Sequence, residues 1–154
     1  MSIRTHAHQL VFEQVVPTDE QLVTLYELLK IRKHTISHFS IPSHSEHTQF
    51  VNNHPYRAWF LVKLNRKCIG SVYIASDNTV GINVSEEYLS QQVKNIFNFV
   101  QTNYQPLAAI PSVRSEKFAI NVPTSNKVLA EALEDLGAKI EQVTYYLPIE
   151  SVTF

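Results

Sequence analysis

Between Tyr56 and Val84 three apolar stretches follow one another, parted only by short polar turns. Tyr56 to Leu64 is rich in aromatic and β-branched residues, Asn65-Arg66-Lys67 breaks it, and Cys68 to Ala75 returns. Ser76-Asp77-Asn78 is the next break, and Thr79 to Val84 is the third stretch. Strands joined by connections this short must run antiparallel, because a parallel return needs a dozen or more residues. The chain is thereby committed to a sheet with a meander at its centre, on which the flanking segments must pack.

The flanks alternate strand and helix signals. Gln9 to Val15 alternates, with Leu10 and Phe12 on one face, and Pro17 ends it. Thr18 and Gln21 have capping-box spacing, and Leu22, Leu25, Tyr26 and Leu29 recur at helical intervals, which predicts a helix from about Asp19 to Arg32. A polar, irregular segment runs from His34 to Pro42. Ser43 with Glu46 then opens a short helix through His47, Phe50 and Val51.

After the meander, Ser85 is expected to cap a longer helix with Leu89, Val93, Ile96, Phe97 and Val100 on its apolar stripe, ending near Asn103. Phe118 to Val122 reads as a strand. Thr124 or Ser125 is expected to cap a last helix that buries Val128, Leu129, Ala132, Leu133 and Leu136 and stops at Gly137. Ile140 to Leu147 reads as the last strand, and Pro148 to Phe154 is barely long enough for a seventh. The expected fold is an α/β domain spanning residues 1–154, with a mixed, mostly antiparallel sheet of six to seven strands flanked by four helices.

Composition narrows the function classes. With 44% hydrophobic and 18% charged residues the 154-residue chain buries a core without staples. Thirteen basic against 14 acidic residues leave a net charge of −1, without the basic surplus of a nucleic-acid binder. The basic clusters Lys30/Arg32/Lys33 and Lys63/Arg66/Lys67 read as solvated helix-end and turn residues. Cys68 is the sole cysteine, so neither a disulfide framework nor a cysteine zinc site is expected. Nothing approaches a membrane span, and Arg4 with two histidines interrupts the opening stretch, so no leader is expected and the cytoplasm is the default location.

All seven histidines lie within the first 54 residues. His34 and His38 are four apart, a spacing that suits a metal on one helical face. No HExxH accompanies them, and Ser37 to Pro42 reads as a loop, so no metal is expected. Residues around a substrate pocket, or ordinary surface histidines, are the other readings.

In element order, from about Val11 to Leu147, the chain resembles the GNAT superfamily of acyl-CoA-dependent N-acetyltransferases. The most specific piece is Asn126 to Ala138, where an asparagine opens the last helix and Leu136-Gly137 closes it at the family's spacing. Phe118 to Val122 and Ile69-Gly70-Ser71-Val72-Tyr73 fit the family's strands. The resemblance implies acetyl-CoA as co-substrate, with Val84, Gln91, Gln92, Val93, Lys94, Asn126 and Lys127 around it. The family carries Arg or Gln and then glycines at the start of the helix after the fourth strand, which lets backbone N–H groups approach a diphosphate. Here Leu89 replaces the Arg or Gln, and Gln92 and Lys94 replace the glycines, while Glu86 and Glu87 add negative charge. Either the remaining N–H groups bind phosphate with Lys94 and Lys127, or the site is altered or lost.

Catalytic groups are sparser still. The family's tyrosine in the last helix is matched by Leu133, and no glutamate on Thr79 to Val84 offers a base. His38 or His47 could take a proton near neutral pH, or be satisfied structural histidines. Asn83 could orient a water, or simply face solvent. Arg32, His34, Tyr56, Arg57 and Trp59 are expected on the acceptor side. The stretches around them resemble members that acetylate amino sugars on nucleotide carriers, where cations meet the diphosphate and aromatic rings meet base and sugar. Trp59 reads equally as core. The competing expectation is a GNAT-like binding module without acyl transfer. The acceptor is expected to be a small-molecule amine, and sheet edges leave room for a homodimer.

Overall fold

The computed structural model describes residues 9–32 and 40–149. Its meander is the one expected from sequence. β1 (Leu10–Gln14), β2 (Ala58–Leu64), β3 (Lys67–Ile74) and β4 (Val80–Val84) form one antiparallel sheet in that order. The β2–β3 turn is tighter than the three residues expected. Only Asn65 and Arg66 lie in it, both at positive φ, and Lys67 already pairs with Leu64. This is the twist-matching hairpin turn.

Side chains alternate across this sheet. Phe60, Val62, Val72, Ile74 and Val80 face α3 (Glu86–Asn103) and α4 (Lys127–Asp135), where Val93, Ile96, Val100, Leu129 and Leu133 complete the larger core. Trp59 and Leu61 face the other way, onto Leu25 and Leu28 of α1 (Asp19–Ile31) and Val51 of α2 (His44–Asn52). Each such buried side chain contributes roughly 1.5–3 kcal/mol of hydrophobic stabilisation. Helices on both faces of a meander make the expected α/β architecture.

Helix ends follow the sequence at most positions. Thr18 Oγ1 accepts from Gln21 N at 3.2 Å and Ser43 Oγ from Glu46 N at 3.2 Å. The Gln21 side chain does not close the box. It accepts from Val16 N and donates to Glu13 and to the Gln14 carbonyl, tying α1 to β1. Ser85 holds the cap position of α3 with no side-chain cap bond. Asn126, rather than Thr124 or Ser125, caps α4, its Oδ1 accepting from Leu129 N. Gly137 sits at φ +89°, and Gly137 N and Ala138 N donate to Glu134 O and Leu133 O, so the helix closes in a Schellman turn.

The sheet has four strands among the described residues, not six to seven. Phe118 to Val122 keeps a strand's alternation, with Phe118, Ile120 and Val122 half-buried on the larger core. It meets β4 through a single parallel bridge, Thr79 to Ala119, with Val80 N donating to Ala119 O and Ala119 N to Asn78 O. Beyond that bridge the two segments part, and no ladder forms. Residues 140–147 form no strand either, because their side chains are exposed and find no face to pack on.

Candidate active site

The parting of β4 from residues 118–122 opens a cleft of ≈ 760 Å³. Its walls are Ile82, Asn83 and Val84 on one side and Asn121, Pro123 and Asn126 on the other, and it runs on across β3 to Arg32, His47, Tyr56 and Trp59. The backbone of β4 presents a free edge here. Ser85 N donates to Ile69 O and Thr79 O accepts from Ala75 N, so residues 79, 81, 83 and 85 point toward β3. Val80 N points the other way, to Ala119. With a period of two, the N–H and C=O groups of Ile82 and Val84 point into the gap.

Among the described residues, three buried polar atoms of residues lining this cleft have no hydrogen-bond partner: Arg32 Nε, His47 Nε2 and Trp59 Nε1. Buried polar groups are rarely left so, and three around one cavity point to a ligand's polar atoms. His47 is buried on α2, beside the Leu22 backbone, which favours its charged form. A neutral imidazole keeps one ring nitrogen as an acceptor, and Nε2 is the one without a partner among the described residues. Burial, and then the neighbouring His44, hold the imidazole below its ordinary value of 6.5, so it is neutral at pH 7.

Aromatic rings form the cleft's floor. Tyr56 stacks on Tyr73 with centroids 3.9 Å apart, and Trp59 meets Tyr56 edge-on at 5.1 Å. Phe50 lies 6.1 Å from Trp59. Desolvation pushes the Tyr56 phenol up to about 12, reinforced by Tyr73 and opposed by Arg32, so it remains protonated. Tyr73 is raised for the same first reason. Gly81 pairs with Tyr73 across the ladder, and a Cβ there would collide with the tyrosine ring. The missing side chain lets the ring lie over β4.

Of the residues expected from sequence, the cleft gathers Arg32, His47, Tyr56, Trp59, Asn83, Val84 and Asn126. Trp59 serves both readings, since its ring belongs to the core and also lines the cleft, with a buried Nε1 that has no partner among the described residues. Arg57 stands elsewhere: it is exposed, donates to Gln105 O at 2.8 Å and lies 5.5 Å from the Tyr104 ring. Gln91, Gln92, Val93 and Lys94 lie in the second and third turns of α3, where backbone N–H groups are taken by carbonyls four residues earlier. Lys94 and Lys127 are exposed and outside the cleft lining. His34 and His38 lie outside the described residues. Leu133, at the family's tyrosine position, is buried in the larger core. Glu86 and Glu87, expected as negative charge at this helix start, line the cleft, and so do Ser71, Tyr73 and Asn121, which were not foreseen. Ser71 and Tyr73 share a face with Trp59 by register alone, so strand pairing would have found them.

No group of three or more His, Cys, Asp and Glu suited to a metal occurs among the described residues, and no helix is long and apolar enough to cross a membrane.

The residues present fit part of an acyl-CoA. A free strand edge with outward N–H groups matches an extended, amide-containing arm, which pairs with it as an added strand would. The α3 N-terminus fits a diphosphate poorly, because Glu86 and Glu87 occupy its first turn and no Lys or Arg lines that end of the cleft.

No family model and no curated protein matches the sequence. Solved structures do match the fold. A possible acetyltransferase from Clostridium difficile 630 is 12% identical with TM-score 0.55, over 92% of this chain and 98% of its own. A spermidine N-acetyltransferase from Vibrio cholerae, dodecameric in its structure, is 14% identical with TM-score 0.55, over 87% and 81%. An aminoglycoside acetyltransferase from an uncultured soil metagenomic sample, in complex with sisomicin, is 15% identical with TM-score 0.51, over 92% and 97%. A meander parting from the next segment at one bridge, a cleft in that gap, and these neighbours together identify the fold of this chain as that of the GNAT N-acetyltransferases.

Proposed function

We propose that this chain is an N-acetyltransferase that moves an acetyl group from acetyl-CoA to the amine of a small molecule held in the cleft. One observation carries the reading: the free edge of β4 at Ile82 and Val84 opens onto the same cleft as the unpartnered His47 Nε2. Bound acetyl-CoA supplies an activated acyl carbonyl. The chain's part is to hold that arm along β4, to offer a backbone N–H to the oxyanion as charge develops, and to manage protons. His47 Nε2 takes the proton the attacking amine must lose, and the imidazolium so formed is acid enough to hand it to the departing thiolate. Asn83, facing the cleft beside Ser71, is placed to orient the amine or a water.

On the acceptor side, Arg32 Nε is a ready donor to a phosphate oxygen, and Tyr56, Trp59 and Tyr73 offer ring faces to a sugar or base. These favour an amino sugar on a nucleotide carrier. A base as weak as His47 also suits an amine whose ammonium form is made acidic by neighbouring ring oxygens. The Vibrio and soil-sample neighbours, which act on spermidine and aminoglycosides, support a small amine in general.

The second reading is a binding module of the same fold without acyl transfer. It is favoured by the glycine-free Gln91–Lys94 stretch lying inside α3 and by the two glutamates at the helix start. Calorimetric titration with acetyl-CoA, followed by thiol release with amino-sugar acceptors, separates the two. The enzyme reading expects binding tighter than about 100 μM, or roughly −5.5 kcal/mol. It also expects His47→Ala to lower kcat by roughly 10²–10⁴-fold with acetyl-CoA affinity kept. No heat and no thermal stabilisation at millimolar acetyl-CoA would overturn it in favour of the binding module.

A further inference from the structure

The gap between β4 and residues 118–122 is open beyond Val84 and shut at its other end. The bond from Val80 N to Ala119 O shuts it two residues past Ile82, or roughly 6–7 Å along the strand. An acyl-CoA carries a bulky nucleotide at one end and a slim thioester at the other. Only the acyl end can therefore lead inward along Val84 and Ile82. What surrounds the inner end of the gap decides which acyl groups fit there.

One face of β4 is already filled. Val80 is buried, and Ile82 and Val84 pack on the larger core. Gly81 and Asn83 lie on the opposite face by alternation. Asn83, further out, lines the open cleft beside Ser71. Gly81 is covered instead. Its ladder partner Tyr73 lies over it so closely that a Cβ at 81 would strike the ring and its hydroxyl. The ring is braced from behind, stacked on Tyr56 at 3.9 Å with 10° between the planes, and Trp59 holds Tyr56 edge-on at 5.1 Å. A glycine inside a strand weakens it unless something must come close to the backbone, and here that something is Tyr73. The bridge ahead, the core on one face and the braced ring on the other enclose the space past Ile82.

We infer that Tyr73, seated on Gly81, is the residue that restricts the acyl donor of this chain to short groups, of about two or three carbons in the length left before the bridge. The inference rests on the acetyltransferase reading of the cleft and adds to it a donor preference set by a ring in the middle of β3. A longer acyl chain runs into the Val80–Ala119 bond or must push the ring off Gly81 and against Tyr56, and a packed site resists such overfilling. With the ring removed, the face over Gly81 becomes open space in which extra methylenes are buried from water.

Calorimetric titration of the full chain with CoA, acetyl-CoA, butyryl-CoA and hexanoyl-CoA tests this without an acceptor. The wild type should bind acetyl-CoA at least about tenfold more tightly than hexanoyl-CoA, the scale on which a site discriminates by methylenes. Tyr73→Ala should erase or reverse that order, whereas Tyr73→Phe, which keeps the ring, should preserve it. Should Tyr73→Ala fail to fold, Tyr73→Leu, with no ring to cover Gly81, takes its place. A wild type indifferent to chain length, or an order that survives loss of the ring, would overturn the inference and leave the acetyltransferase reading standing. No binding of CoA or of any acyl-CoA by the folded wild type would overturn both.

Discussion

The side chain of Asn78 and the backbone of Leu107 exchange two hydrogen bonds, Nδ2 to the Leu107 carbonyl at 2.9 Å and Leu107 N to Oδ1 at 2.8 Å. Asn78 Nδ2 also donates to Ser115 O at 2.7 Å, and Asn78 O accepts from Ala119 N. The residue is fully buried, at φ +69° in the β3–β4 turn. One amide thus pins the loop between α3 and residue 118 to the sheet, and so sets where the cleft's far wall begins.

Asn78→Ala should therefore destabilise the protein by about 1–3 kcal/mol, because it leaves the part-buried Leu107 N–H and the Leu107 and Ser115 carbonyls without their partner. Asn78→Asp tolerates the same backbone angle and keeps the bond from Leu107 N, but it sets a buried carboxylate against the Leu107 and Ser115 carbonyls, so it should cost at least as much. Urea denaturation at unchanged m-value reads both. A loss under about 1 kcal/mol for either would mean that water replaces the amide.

Gly81 and Tyr73 should couple. Gly81→Ala forces the Tyr73 ring out of its stack on Tyr56 and should cost about 1–3 kcal/mol. Adding Tyr73→Ala removes the collision, so the double variant should be more stable than the two single losses predict. A thermal-denaturation cycle with coupling below about 0.5 kcal/mol would show that the strand shifts rather than the ring.

The pH dependence of stability should carry the mark of His47. Burial depresses its folded pKa below 6.5, so between 6.5 and that lower value the unfolded chain binds the extra proton. The contribution is complete above about pH 6.5 and is lost as pH falls through the folded pKa. His54, also lowered by burial, acts in the same direction. His47→Gln should flatten the acid side of the stability–pH curve, measured by denaturant midpoints from pH 7.5 to 4.5. An unchanged slope would assign the effect to other groups.

The acidic helix start should be felt by a diphosphate. Glu87 is exposed in the first turn of α3, and Glu87→Gln should tighten acetyl-CoA about two- to fivefold, in line with the roughly 0.3–1 kcal/mol of a charge at a helix terminus. The gain should shrink in high salt. Calorimetry at two ionic strengths checks it, and weaker binding in the variant would place the diphosphate away from this end.

Much of the frame was legible because it is local. The meander, α1 to α4 and the glycine stop of α4 follow from periodicity, caps and turn residues within a few positions of one another. What was not legible depends on distant partners. Phe118 to Val122 has a strand's alternation, but alternation cannot say that β4 turns aside after Ala119. Residues 140–147 read as a strand too, without a face in their own chain. In the cleft, Arg32, His47, Tyr56 and Trp59 were readable as polar or aromatic residues near element ends. Tyr73 and Ser71 sat mid-strand, where their direction is set by register with Trp59 and Leu61. Asn78 read as an ordinary turn residue, since nothing nearby announces contacts 29 and 37 positions away.

The single bridge between Thr79 and Ala119 makes the cleft a wedge closed at one end and open at the other. A wedge acts as a gauge: a thin, flat chain slides toward the apex, and a bulky group stops where the walls match its thickness. Depth along β4 is then chosen by the girth of whatever enters. Widening or narrowing the wedge by moving its hinge would shift that resting point along the strand without altering any residue that touches it.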